Sequence, residues 1–258
     1  MTYRAIPKNH FLQTILHWQS SELIAYPDSI TIMQQKIEEI SKGKSPEILW
    51  FLQHPSLYTG GTSAKDEDIF NKKNFPAFRT GRGGQWTYHG PGQRIAYLML
   101  DLTTRHGSIP PRNIHAYVHG LERWLIQALA RFDIKGEQHP ERIGVWVRDP
   151  KTGKEAKIAA IGVRITKWIT WHGVAINIHP DLKHFQEIVP CGLADYDVTS
   201  LEKLGVNVSL KEFDRALIES WNDIFGENHL IPAETPPFPN PIDLQQNAPI
   251  NQETHSML

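Results

Sequence analysis

The stretch RGGQWTYHGPGQ, Arg82 to Gln93, is wrong for an ordinary core strand, because four glycines and a proline stand among polar residues there. Backbone has to come close to something. Glycine is required where the chain takes positive φ, or where no side chain can stand between the backbone and a neighbour. Between the two glycine clusters, Thr87, Tyr88 and His89 place hydrogen-bonding groups at adjacent positions. Two readings follow: a glycine-lined binding wall with polar fingers, or two tight turns flanking a short strand.

The rest of the chain supplies strands and helices around this stretch. Leu12, Leu16, Leu23, Ile30, Met33, Ile37 and Ile40 fall mostly at helical spacing, most clearly from Ile30 on, with Ser29 or Asp28 as a cap and Gly43 as the stop. Glu47 to His54 is an apolar run between Pro46 and Pro55, which predicts a buried strand. Ile95 to Leu102 predicts another. An apolar stripe from Ile114 to Leu129, with Pro111 in the first turn, predicts a helix. Ile143 to Arg148, KIAAIGVRI and WITWHGVAINI read as three further strands, the last two joined near Thr166 to Trp168. Ser209 and Glu212 form a capping box for a helix running to about Phe225. Strands without regular βαβ alternation indicate an α+β domain with a mixed, largely antiparallel sheet flanked by helices. Residues 1–226 are read as a single domain. Residues 227–258, with six prolines among Gln and Asn, are read as a tail, extended or disordered.

Composition narrows the function. The chain has 258 residues, 40% hydrophobic and including eight tryptophans, which is enough for a sizeable core. No apolar run approaches the roughly 20 residues that span a bilayer, so the expectation is a cytoplasmic protein with no membrane partner. A net charge of -1 supplies no global positive field for phosphates and argues against nucleic acid. The single cysteine, Cys191, excludes an intrachain disulfide and is the only candidate sulfur nucleophile.

Pro190 and Gly192 flank that cysteine, interrupting regular strand pairing and freeing the backbone. A thiol of ordinary pKa, about 8.5, needs a nearby cation or base to react at neutral pH. Lys157 leads directly into the apolar run Ile158 to Ile161 and is the best candidate; the alternative is a solvated lysine beside Lys151 and Lys154. Ala159, Ala160 and Gly162, with Gly173 and Ala175 on the expected partner strand, would leave the volume for a narrow apolar slot, or would simply allow close strand packing. His89 and His172 each precede a glycine and could orient a substrate or move a proton. His115 and His119 have ligand-like spacing, but no third ligand accompanies them, so no metal is expected. Arg142, Arg148, Lys151, Lys154, Lys157, Arg164 and Lys167, facing only Asp149 and Glu155, are either a docking patch for an acidic partner or a solvated face.

RGGQWTYHGPGQ, KIAAIGVRI, WHGVAINI and VPCGL occur in that order, and together they resemble the lipoyl(octanoyl)transferase family over roughly Pro46 to Leu204. The resemblance implies the fold of biotin and lipoate protein ligases. It implies transfer of octanoyl from octanoyl-acyl carrier protein to a lysine of lipoyl domains, in 2-oxo acid dehydrogenases and the glycine cleavage H protein, without a cofactor. It also implies that Cys191 and Lys157 are the catalytic pair and that Cys191 carries the acyl group as a thioester. Acyl-chain contacts are implied at Arg82, Gly83, Gly84, Gln85, Trp86, Thr87, Tyr88, His89, Ala160, Ile161, Gly162, Gly173, Val174 and Ala175. Trp86 stands where the family has a smaller residue, and the strand AYLML lacks the family's proline after tyrosine. An ATP-dependent lipoate or biotin ligase and a non-catalytic acyl-carrier-binding protein remain as rival readings.

Overall fold

The computed structural model describes residues 14–189, 197–227 and 229–235. In chain order it contains β1 (Thr14–Leu23), α1 (Tyr26–Ser41), β2 (Glu47–Gln53), β3 (Leu57–Gly60), β4 (Ala77–Arg79), β5 (Trp86–His89), β6 (Gln93–Met99) and α2 (Ile114–Ala130). There follow β7 (Gly136–His139), β8 (Arg142–Arg148), β9 (Glu155–Thr166), β10 (Ile169–Asn177), β11 (Asp197–Val198), α3 (Leu210–Glu219), α4 (Trp221–Phe225) and β12 (His229–Ala233). The large sheet runs β12-β1-β2-β6-β10-β9-β8-β7, with β11 on β9; a small sheet runs β4-β3-β5. From β2 to β7 the large sheet is antiparallel, whereas β1 pairs in parallel with both β2 and β12.

The central strands are apolar on both faces because both faces are covered. On β2, Leu49 and Phe51 join the core under α2, α3 and α4, while Ile48, Trp50 and Leu52 join the core under α1. The expected helical spacing before Ile30 is not used. Thr14–Leu23 is a strand, because β2 and β12 offer it ladder partners on both sides. Helix α1 then starts at Tyr26 with no side-chain cap, so neither Ser29 nor Asp28 takes that role. Pro111 lies outside α2, whose cap is Asn113, its side chain accepting from the Ala116 N–H at 2.9 Å. The capping box at Ser209 and Glu212 forms. The sheet also continues past residue 226: His229–Ala233 is its edge strand, where the N–H missing at Pro232 costs no interior ladder bond. Among the described residues no helix is long and apolar enough to cross a membrane.

One buried ion pair ties α3 to the sheet. Arg94 on β6 donates from Nε and Nη2 to the two carboxylate oxygens of Asp214 at 2.6 and 3.0 Å, and Gln19 on β1 adds a third bond at 2.7 Å. Burial pushes the Asp214 carboxyl up to about 6 against the opposing pull of Arg94. Removing one partner of such a pair strands the other charge in the core. Asp214→Ala is therefore expected to cost about 3 kcal/mol, read as a fall in Tm of roughly 6–12 °C at neutral pH.

Candidate active site

A cavity of about 370 Å³ lies between the β9-β10-β6 face of the large sheet and the loop leading into β5, near the lower end of ligand-pocket sizes of about 300–1,000 Å³. Arg82, Gly83, Gly84, Gln85, Trp86, Thr87 and His89 line one side; Ala160, Ile161, Gly162, Gly173, Val174 and Ala175 line the other, and Lys157 lies on the same wall. Tyr88 is not in this lining. It alternates away from Thr87 and His89 into a cluster with Tyr58, Trp86, Phe185 and Ile188.

The glycine-rich stretch is both things its sequence allowed, bends flanking the short strand β5 and a wall of the cavity. The Arg82 guanidinium holds it in place. Nη2 donates to the Thr59 carbonyl (2.6 Å), Thr59 Oγ1 (2.8 Å) and the Gln85 carbonyl (3.0 Å), while Nη1 donates to the Gly83 carbonyl (2.9 Å). The Gly83 N–H reaches the Val163 carbonyl at 3.0 Å, tying the loop to β9. A Cβ on Gly61 would collide with the Gly84 carbonyl and sit 2.7 Å from that of Gly83, so the loop closes this tightly only over glycine. Trp86 is anchored through its Nε1–H to the Lys65 carbonyl at 2.6 Å, with the Arg79 guanidinium 4.9 Å from its ring.

Lys157 owes its position to an irregularity. Val145 pairs with Ala159 and Trp146 with Lys157, so Ile158 is an extra residue on β9. Ile158 and Ala159 consequently both enter the core beneath α2. The bulge brings Lys157 onto the cavity side with Ala160 and Gly162, where strict alternation would have placed it opposite them. Only 8% of Lys157 is exposed; its Nζ donates to the Ile143 carbonyl at 3.0 Å and lies 4.7 Å from the Trp146 ring. Cys191, with Pro190 and Gly192, lies outside the described residues. Where the chain resumes, β11 pairs Asp197 with Ala156 and Val198 with Lys157, and the Thr199 N–H donates to the Lys157 carbonyl at 2.9 Å.

Far from Lys157 along the strands, buried polar rings cluster where Tyr26, His89, Tyr97 and His172 line the cavity. His54 Nδ1 is 2.6 Å from the Ile24 carbonyl, an acceptor only, so that nitrogen carries the proton and Nε2 accepts from Tyr97 at 2.8 Å. His172 Nε2 meets Tyr26 at 3.1 Å and His89 Nε2 meets Thr59 at 3.1 Å. Burial, aided by the nearby Arg82 charge, lowers His172 to about 3 and puts His89 well below 6.5. Burial alone takes His54 to about 4. These imidazoles are neutral at physiological pH, and His89 and His172 stand in the cavity wall as hydrogen-bonding groups. Tyr26, His54, Thr59 and Tyr97 were not singled out in the sequence. His54 carried a readable signal, a histidine closing an otherwise apolar run.

Part of the expected basic patch is paired with carboxylates. Arg142 pairs with Glu155 at 2.7 Å, Lys167 with Glu38 at 2.6 Å, and Arg164 lies over the Trp171 ring at 4.3 Å. Among the described residues, Glu137, His139 and Glu155 bring three ligand-type atoms within 4.8 Å of one another, but Glu155 is already engaged by both His139 and Arg142.

Residues 25–222 match the family model described as lipoyl protein ligase A/B catalytic domain. The octanoyltransferase of Gluconacetobacter diazotrophicus is 55% identical over 214 residues, covering 83% of this chain and 92% of that protein. The octanoyltransferase of Parvibaculum lavamentivorans is 50% identical over 212 residues, covering 81% and 92%. In fold the chain is similar to the bipartite lipoate protein ligase of Thermoplasma acidophilum, with a TM-score of 0.62 at 18% identity over 86% of this chain and 87% of that one.

Proposed function

The chain belongs to the lipoyl protein ligase A/B catalytic domain family, and from that premise we propose that it transfers octanoyl from acyl carrier protein to a lysine of lipoyl domains, in two steps through Cys191. The observation that carries the reading is Lys157, buried on the wall of a cavity whose neighbouring positions are Ala160, Gly162, Gly173 and Ala175. Small side chains there leave room for an unbranched alkyl chain. The return of the chain alongside Lys157 at Val198, seven positions after Cys191, supports a thiol working near that amine.

In the first step the Cys191 thiolate attacks the thioester carbonyl, and the carbonyl–sulfur bond to the carrier's phosphopantetheine breaks. The departing thiolate takes up the proton that the Lys157 ammonium gives up, leaving octanoyl on Cys191 and Lys157 neutral. In the second step the neutral acceptor amine attacks that new thioester, the bond to Cys191 breaks, and the amine's extra proton is removed. Lys157 as ammonium favours the Cys191 thiolate; once neutral, it can take the proton from the incoming amine. Backbone N–H groups near Gly84 or Gly192 would receive the developing oxyanion. The acceptors are the lipoyl domains of 2-oxo acid dehydrogenases and the glycine cleavage H protein, and the site of action is the cytoplasm. No cofactor enters this chemistry.

Incubation with octanoyl-acyl carrier protein in the absence of ATP, followed by intact mass measurement, tests the reading. The protein should gain one octanoyl group that hydroxylamine removes, and Cys191→Ser should gain none. Acylation that requires ATP and free octanoate would point to a ligase instead, and carrier binding with no mass change to a non-catalytic binder.

A further inference from the structure

Helix α2 buries a carboxylate in its apolar face. Glu122 is only 1% exposed, next to the core residues Leu121 and Leu125. A buried carboxylate is costly unless its oxygens are bonded, and both are. Oε2 lies 2.9 Å from His119 Nδ1, and Oε1 accepts from the Gly144 N–H at 3.0 Å. The carbonyl of that same peptide unit, at Ile143, accepts from Lys157 Nζ at 3.0 Å. One peptide group thus stands between the carboxylate and the amine, its N–H on one and its C=O on the other. The arrangement depends on glycine. Gly144 has φ +125°, and a Cβ there would sit 2.7 Å from the Ala159 carbonyl and 3.1 Å from Lys157 Cε.

We infer that Glu122 is a positioning residue for Lys157, acting through the Ile143–Gly144 peptide group to fix where the ammonium sits and how firmly it holds its proton. The inference rests on the proposed role of Lys157. A carboxylate on the N–H side polarises the peptide and makes the Ile143 oxygen a stronger acceptor. Its charge also favours the ammonium form. Among the described residues that line the cavity, the other charged groups are Glu141, Arg142, which is paired with Glu155, and Arg82, which is held by the Thr59, Gly83 and Gln85 carbonyls.

The test is the pH dependence of acyl-enzyme formation from octanoyl-acyl carrier protein. That rate should rise as the Cys191 thiol ionises and fall as Lys157 loses its proton. Glu122→Gln keeps the shape and an acceptor for Gly144 but removes the charge, so the falling limb should move to lower pH by roughly one unit with Tm nearly unchanged. An unmoved limb overturns the inference. Should that variant not fold, Glu122→Asp decides, since it keeps the charge but withdraws it from the Gly144 N–H. Acylation several-fold slower at unchanged Tm supports the inference, and any other result overturns it. Lys157→Ala assayed beside them separates the two failures: wild-type acylation in that variant sinks the role of Lys157 itself, whereas a slow Lys157→Ala with an unmoved limb sinks only the role of Glu122.

Discussion

Lys157→Ala is expected to lower octanoyl transfer by roughly 10²–10⁴-fold, the usual span for loss of a positioned acid–base group. Both half-reactions should suffer. A thiol of ordinary pKa, about 8.5, is only a few per cent thiolate at neutral pH, so the proposed attack by Cys191 would lose the cation that favours its thiolate. Without the amine, the second step loses its proton acceptor. Stability should change little, because the hydrogen bond that Lys157 gives up is to a single backbone carbonyl, that of Ile143, a residue 54% exposed. Lys157→Arg should not rescue the second step, since a guanidinium stays protonated and cannot accept that proton. Single-turnover rates for each half-reaction, with Tm measured alongside, check all of this. Transfer at the wild-type rate in Lys157→Ala would remove this residue from the mechanism.

Most of the central sheet was legible because burial on both faces writes itself as continuous apolar runs, as in Glu47–Gln53 and Ile169–Asn177. The β9-β10 hairpin was legible too, although its turn residues Lys167 and Trp168 both take positive φ, at 53° and 65°, where Asn and Gly are usual. Tertiary contacts hold that turn: the Trp168 carbonyl accepts from the Leu102 N–H at 2.9 Å, and the Arg112 guanidinium lies 5.6 Å from the indole. Strand β1 was missed because one of its two partners, β12, lies more than 200 residues away. A local window contains no information about that pairing.

The site divides in the same way. Close-approach glycines and small wall residues announce themselves, since glycine among polar residues has few other uses. The face on which Lys157 emerges could not be read, because a strand's alternation predicts sidedness only until a bulge resets it at Ile158. Nor could Glu122 be connected to the site, since its link to Lys157 runs through the backbone of another strand.

Acidification from pH 7 to pH 5 should destabilise this protein. His54 and His172, lowered by burial to about 4 and about 3, are neutral in the fold but protonate near 6.5 once the chain unfolds. For a histidine lowered in the fold, stability is fully present above the unfolded pKa and is lost as pH falls from there towards the folded value. Between pH 7 and pH 5 each of the two therefore costs the fold about 2 kcal/mol. His89, also lowered by burial, adds to the loss. Two groups oppose it. Asp214, raised by burial to about 6, gains a proton in the folded state first. His106 is raised as well: burial alone would lower it, but the Glu47 carboxylate 2.9 Å away more than compensates, and the stability it adds is present at low pH. The net expectation is a fall in Tm of at least roughly 5 °C from pH 7 to pH 5, steepest below pH 6.5. His172→Gln should narrow that difference. An equal or higher Tm at pH 5, measured by calorimetry at fixed ionic strength, would mean that these imidazoles are hydrated in the native protein and that the polar end of the cavity is open to water.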